Sequence, residues 1–285
     1  MGPGRGGRLG GVGAPGRRYD HLPHRRHVDR RRPRRRAQPA RPVPCSDQDQ
    51  RGGRCRGSDP TVSVWERSVL GHSVNGSPVR AAAAGKGPPG LILGGTHGDE
   101  PASTYCVQRL MEHPTMERVL QAVRLTVVDT VNPDGLAAGT RHNARRVDIN
   151  RNFPTENWVP DEHNPEYAPG PEPVSEPETR ILVKLLEDLD PRFVLTLHAP
   201  LAVVNYDGPA EDLAKAIAEV NGYPVSGDIG YPTPGSFGTY AGVERAIPTV
   251  TLELGPGDGP EEWAISGEAM VAGLLRAASQ AGAGD

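Results

Sequence analysis

The segment LILGGTHGDE, Leu91 to Glu100, constrains this chain more than any other. Its apolar run, Leu91 to Leu93, has the length of a buried strand, and Gly94 and Gly95 end it in a turn carrying His97 and Glu100. An imidazole and a carboxylate three positions apart can close on one cation across such a turn, because glycine lets the backbone approach without steric cost. The same pair also suits a plain polar surface loop. What separates the two readings is whether the rest of the chain delivers matching groups.

Three more apolar runs follow. VRLTVVDTV, Val123 to Val131, is β-branched and closes at the turn Asn132-Pro133-Asp134-Gly135; Phe193 to Leu197 ends at His198; Thr249 to Leu254 carries Glu253. Helical patterns lie between them: Pro101 to Glu112, with proline in the first turn, Pro177 to Leu189, about 212 to 220, and an amphipathic close over 261–278. Ser175 followed three residues later by Glu178 has the capping-box spacing before the second of these. Upstream, alternating segments between Val62 and Val79 flank Asn75-Gly76, a hairpin signal. Strands alternating with helices predict an α/β fold, a mixed central sheet with helices on both faces. There is no internal repeat. The irregular span from Gly139 to about Pro173 is long for a connection in a compact domain, and such loops tend to be functional.

Charge divides the chain. Residues 1–60 hold sixteen arginines against five aspartates, whereas 61–285 hold 16 basic and 30 acidic residues. The first segment is dense in Gly and Pro and lacks long apolar runs, so it is expected to be a disordered arm ahead of one catalytic domain over 61–285. Such an arm suits an acidic partner, yet upstream GC-rich DNA read in frame from a misassigned start yields the same mixture. The acidic balance of 61–285 argues against nucleic acid contact by the domain. No run reaches the ~18 apolar residues of a transmembrane helix, and no apolar signal segment follows the twin arginines, so the expected location is the cytoplasm, with no membrane contact. Three cysteines, of which Cys106 falls in a helical pattern as a small core residue, specify neither a disulfide framework nor a cysteine metal site. Nothing in the sequence specifies an oligomeric state.

In an open α/β sheet, ligands bind beyond the carboxyl ends of the strands, so His97, Glu100, His198 and Glu253 can converge. Two histidines, a glutamate and an open fourth position make a catalytic zinc site. A further carboxylate then serves as base to a water whose pKa the metal lowers to about 7. Glu253 is the candidate base, since a charge inside TVTLELG is costly without a partner or a task. TRHNARRVDINRNFP, residues 140–154, crowds Arg141, Arg145, Arg146 and Arg151 into one loop; this suits recognition of a substrate carboxylate, and equally a solvated basic loop.

GTHGDE, VNPDG, RHNARRVDINRNFP, SEPET, LHAP, TPGSFG and TLELG, in that order, resemble the zinc carboxypeptidases of the M14 type over residues 62–280. More narrowly they are similar to the bacterial murein peptide amidase branch, which hydrolyses the γ-D-glutamyl to meso-diaminopimelate bond of murein tripeptide in peptidoglycan recycling. The resemblance implies one zinc per chain on His97, Glu100 and His198, with Glu253 as general base. It also implies that Asn150 and Arg151 grip the terminal carboxylate of a small peptide and that Arg141 steadies the oxyanion. Tyr231 is the nearest counterpart of the family's mobile tyrosine, and Ser236 and Phe237 are pocket candidates. Two positions depart: Arg146 where that branch typically has glycine, and Ala199 where an acid follows the zinc histidine. Competing readings are a zinc deacylase of the aspartoacylase and succinylglutamate desuccinylase type, acting on N-acyl amino acids, and a catalytically silent peptide-binding module.

Overall fold

The computed structural model describes residues 65–160 and 164–281. The Arg-rich segment 1–60 lies outside the described residues.

The first strands are β1 (Glu66–His72), β2 (Pro78–Gly85) and β3 (Pro89–Leu93), with helices α1 (Pro101–Met111) and α2 (Met116–Ala122) leading to β4 (Arg124–Val128). After the short helix α3 (Pro133–Ala138) and the long loop come α4 (Pro177–Leu189), β5 (Phe193–His198) and β6 (Val203–Asp207). The chain closes with α5 (Glu211–Asn221), β7 (Val225–Ser226), β8 (Thr249–Glu253) and α6 (Gly259–Ala281). The strands form one sheet in the order β1-β2-β4-β3-β5-β8-β6-β7. Its centre, β4-β3-β5-β8, is parallel, and β2 and β6 flank it antiparallel. The mixed sheet expected from the sequence is therefore present, and the Asn75-Gly76 hairpin joins β1 to β2.

Central parallel strands must be apolar on both sides, because helices cover both faces. β5, FVLTLH, is buried at every position. Successive side chains of β3 point oppositely: Ile92 joins the layer of Val107, Leu213 and Leu274 from α1, α5 and α6, while Leu91 and Leu93 join Leu182 and Leu186 of α4. Cys106 is buried in the first layer, where burial pushes its thiol up to about 12. No helix among the described residues is long and apolar enough to cross a membrane.

Two local expectations are corrected. Asn132-Pro133-Asp134-Gly135 starts α3: Asn132 caps it by accepting from the Gly135 N–H at 2.8 Å, and Pro133 occupies the first turn. The Ser175–Glu178 pair makes no capping box, since the Ser175 hydroxyl donates to Glu176 at 2.9 Å and Glu178 accepts from Val74 N–H and from Asn143. α2 and β6 were not anticipated; each is short, and in β6 only Val204 is buried, so neither carries a clear period.

Candidate active site

Parallel strands end at the same sheet edge, and here the ends of β3, β5 and β8 carry the candidate site residues. His198 of β5 lies in register with Glu253 of β8. The turn after β3 is pinned from α1: the Ser103 hydroxyl donates to the Glu100 carbonyl at 2.7 Å and accepts from Gly95 N–H at 3.1 Å. Gly98 lets this turn meet α3, since a Cβ there would collide with the backbone of Gly135. Asn132, besides capping α3, donates to the Thr96 and Arg141 carbonyls at 3.3 and 3.4 Å and so ties the turn to the arginine loop.

His97, Glu100 and His198 present ligand atoms that all lie within 4.8 Å of one another, and all three residues are buried. His97 Nδ1 sits 2.8 Å from Glu100 Oε1 and 3.1 Å from His198 Nδ1, and His198 Nδ1 is 3.1 Å from Glu100 Oε2. Two ring nitrogens facing each other beside a carboxylate converge lone pairs on one point. A borderline-soft cation that favours nitrogen and oxygen ligands fits this donor set.

Asp148, fully buried, was missed by the sequence reading although it stands inside VDINRN, an acid between β-branched residues. Its Oδ1 lies 3.0 Å from His97 Nε2, and its Oδ2 accepts from Arg141 Nε at 2.9 Å. One carboxylate thus orients both a candidate ligand and a candidate catalytic arginine; with Nε2–H given to Asp148, Nδ1 of His97 faces the cation point. Burial pulls the His97 imidazole down, but the Asp148 and Glu100 carboxylates outweigh it and hold it at about 9. Asp148 lies far below the usual carboxylate range, since His97 and Arg141 overcome the cost of its burial, and Glu100 is likewise held low by the two histidines. Glu253 moves the other way: burial raises it, and the Glu100 charge adds to that rise while His198 opposes it.

Beside these residues is a cavity of about 220 Å³ whose wall includes Arg141, Asn150, Arg151, Tyr167, Tyr231 and Glu253. Asn150 is set by the TPGSFG loop, where the Phe237 N–H donates to its Oδ1 at 2.8 Å and leaves its amide N–H groups for the cavity. Arg151 is buried, donates to the Asn150 carbonyl at 2.7 Å, and lies over the Tyr167 ring at 5.1 Å, with Arg141 at 5.2 Å from the same ring. Tyr231 stacks on Tyr167 with centroids 6.2 Å apart.

The two pocket candidates are corrected. Phe237 packs on Phe153 in the core, Ser236 bonds Thr239, and neither lines the cavity. Asn143 and Asn152 are structural, bonded to Glu176 and Glu178 and to the Pro169 and Glu172 carbonyls. Arg146 is exposed, away from the cavity wall, with φ of 65°, a backbone state that favours glycine. Its departure from the amidase pattern is thus a matter of backbone conformation rather than of substrate charge. Ala199 does line the cavity and brings no charge to it.

Comparison with known proteins accords with this geometry. The zinc carboxypeptidase profile, peptidase M14, matches residues 58–213. Murein peptide amidase A of Vibrio campbellii is 39% identical over 210 residues, covering 69% of this chain and 80% of its own length. That of Escherichia coli K12 is 35% identical over 211 residues, covering 69% and 82%. The crystal structure of murein-tripeptide amidase MpaA from Escherichia coli O157 superposes with a TM-score of 0.63 at 30% identity, covering 79% of this chain and 95% of that one. The chain belongs to the zinc carboxypeptidase family, peptidase M14, and is a hydrolase of the metallopeptidase class.

Proposed function

We propose that this hydrolase cleaves the γ-D-glutamyl to meso-diaminopimelate bond of cytoplasmic murein peptides. The observation that carries the reading is a single cavity joining the two-histidine, one-glutamate donor set to a carboxylate-binding pair and a free strand-end acid. The relatives named as murein peptide amidases supply the substrate class.

His97, Glu100 and His198 would hold a zinc ion, which would supply Lewis acidity toward the scissile carbonyl and lower the pKa of the attacking water. Arg151 and the amide N–H groups of Asn150 bind the terminal carboxylate of the peptide, which fixes the last amide bond over the sheet edge. Arg141, held on Asp148 through Nε and Nη2, keeps Nη1, which lies 3.6 Å from Glu100 Oε1, for the developing oxyanion. Glu253 takes the proton of the water and returns it to the leaving amine. Its burial raises its proton affinity above that of a surface carboxylate, which suits a base that must also act as an acid.

The test is incubation of zinc-loaded protein with L-Ala-γ-D-Glu-meso-diaminopimelate, reading released diaminopimelate by mass. Release that a chelator abolishes is expected. Intact peptide in the presence of one bound zinc per chain would overturn the assigned substrate.

A further inference from the structure

Three carboxylates line the cavity: Glu100, Glu253 and Glu166. The first two have tasks on the reading above. Glu166 has none, and its side chain makes no hydrogen bond or ion pair with any described residue. Its backbone is nonetheless fixed, because its N–H donates to Asn164 Oδ1 at 3.1 Å and its carbonyl accepts from His142 Nε2 at 2.9 Å. It belongs to a one-turn helix, Pro165–Tyr167, so it stands one residue from the ring that carries both arginines. The cavity therefore joins a cationic wall, Arg141 and Arg151 over the Tyr167 ring, to Glu166, an acid whose side chain has no partner among the described residues.

We propose that Glu166 determines specificity by pairing with a primary ammonium on the side chain of the leaving amino acid. The inference rests on the proposed amidase reaction, in which that residue is a diamino acid. An uncompensated anion at a binding wall attracts a cation and disfavours a side-chain carboxylate that no ammonium accompanies, so the discrimination works in both directions. Glu166 is solvent-exposed, so the pair is screened and its effect modest.

Free meso-diaminopimelate and 2-aminopimelate share a carbon chain and both carboxylates and differ in the distal ammonium. Their dissociation constants are measured on the zinc-loaded full chain and on Glu166→Gln. The native protein should favour diaminopimelate by about fivefold, and Glu166→Gln should bring the two ligands within about twofold. Equal binding by the native protein, or an unchanged preference in Glu166→Gln, overturns the proposal. Hydrolysis of the murein tripeptide, run alongside, separates the two failures. Cleavage without the preference sinks the role of Glu166 alone; the preference without cleavage sinks the amidase reading and leaves the ammonium site standing.

Discussion

Glu253 and His97 respond oppositely to burial, and the difference is chemical. Desolvation outweighs the opposing pull of His198, His97 and Arg141 on Glu253, and the Glu100 charge adds to it, so its proton affinity rises. Glu253→Gln keeps the shape of the strand end and removes the proposed base, so zinc content should stay at one per chain while kcat falls by about 10²–10⁴-fold. Retained turnover in that variant would remove Glu253 from the mechanism. His97 is held protonated at about 9 by Asp148 and Glu100. A ring protonated on both nitrogens cannot ligate a metal, so binding at pH 7 must expel one proton. Apparent zinc affinity should therefore rise about tenfold per pH unit until pH reaches about 9 and then level off. Calorimetry in two buffers of different ionisation enthalpy counts the protons. Asp148→Asn removes the leading positive influence and should lower the count at pH 7; zero release from the native chain would mean that His97 is neutral before the metal arrives.

At the scale of elements, the loop from Gly139 to Pro173 is ordered by acids and amides as well as by the burial of Ile149 and Phe153. Asn143 donates to Glu176 at 2.7 Å and to Glu178 at 3.1 Å, and its Oδ1 accepts from the N–H groups of Arg145 and Val147. Asn143→Ala would leave two buried carboxylates without this partner, at a cost of about 2–4 kcal/mol. Thermal unfolding of the variant should shift down markedly, with a larger loss in KM than in metal content, because Arg151 rides on the same loop while the donor set does not. An unchanged melting temperature would show that water satisfies both carboxylates. This network also marks where sequence reading runs out. The strand ends were legible because apolar runs broken by His97, His198 and Glu253 announce themselves by period and polarity. Asp148, Asn143 and Asn152 were not, since a polar residue in a loop looks the same in sequence whether it faces solvent, a substrate or a buried carboxylate. α3 was read as a turn for a related reason: Asn-Pro-Asp-Gly opens turns and short helices alike, and the contact of Gly135 with Gly98, distant in sequence, favours the helix here.

For the whole molecule, the question is whether residues 1–60 share in catalysis. The segment carries sixteen arginines and five aspartates, a charge near +11, ahead of a remainder near −14. Opposite charges of this size attract at low salt, and that attraction is screened over about 8 Å at physiological ionic strength. The cavity, by contrast, brings its own cations in Arg141, held on Asp148, and Arg151, held on the Asn150 carbonyl. A substrate carboxylate seated there gains nothing specific from further arginines supplied through a long segment. Deleting residues 1–60 should leave kcat/KM on the murein tripeptide within about twofold at physiological salt, because only the screened long-range field changes. At low salt the full chain should bind acidic surfaces or nucleic acid that the truncated chain ignores, since the remainder is acidic. If the truncated protein instead loses kcat while keeping its zinc and its melting temperature, residues 1–60 reach the cavity, and the division into arm and catalytic domain fails.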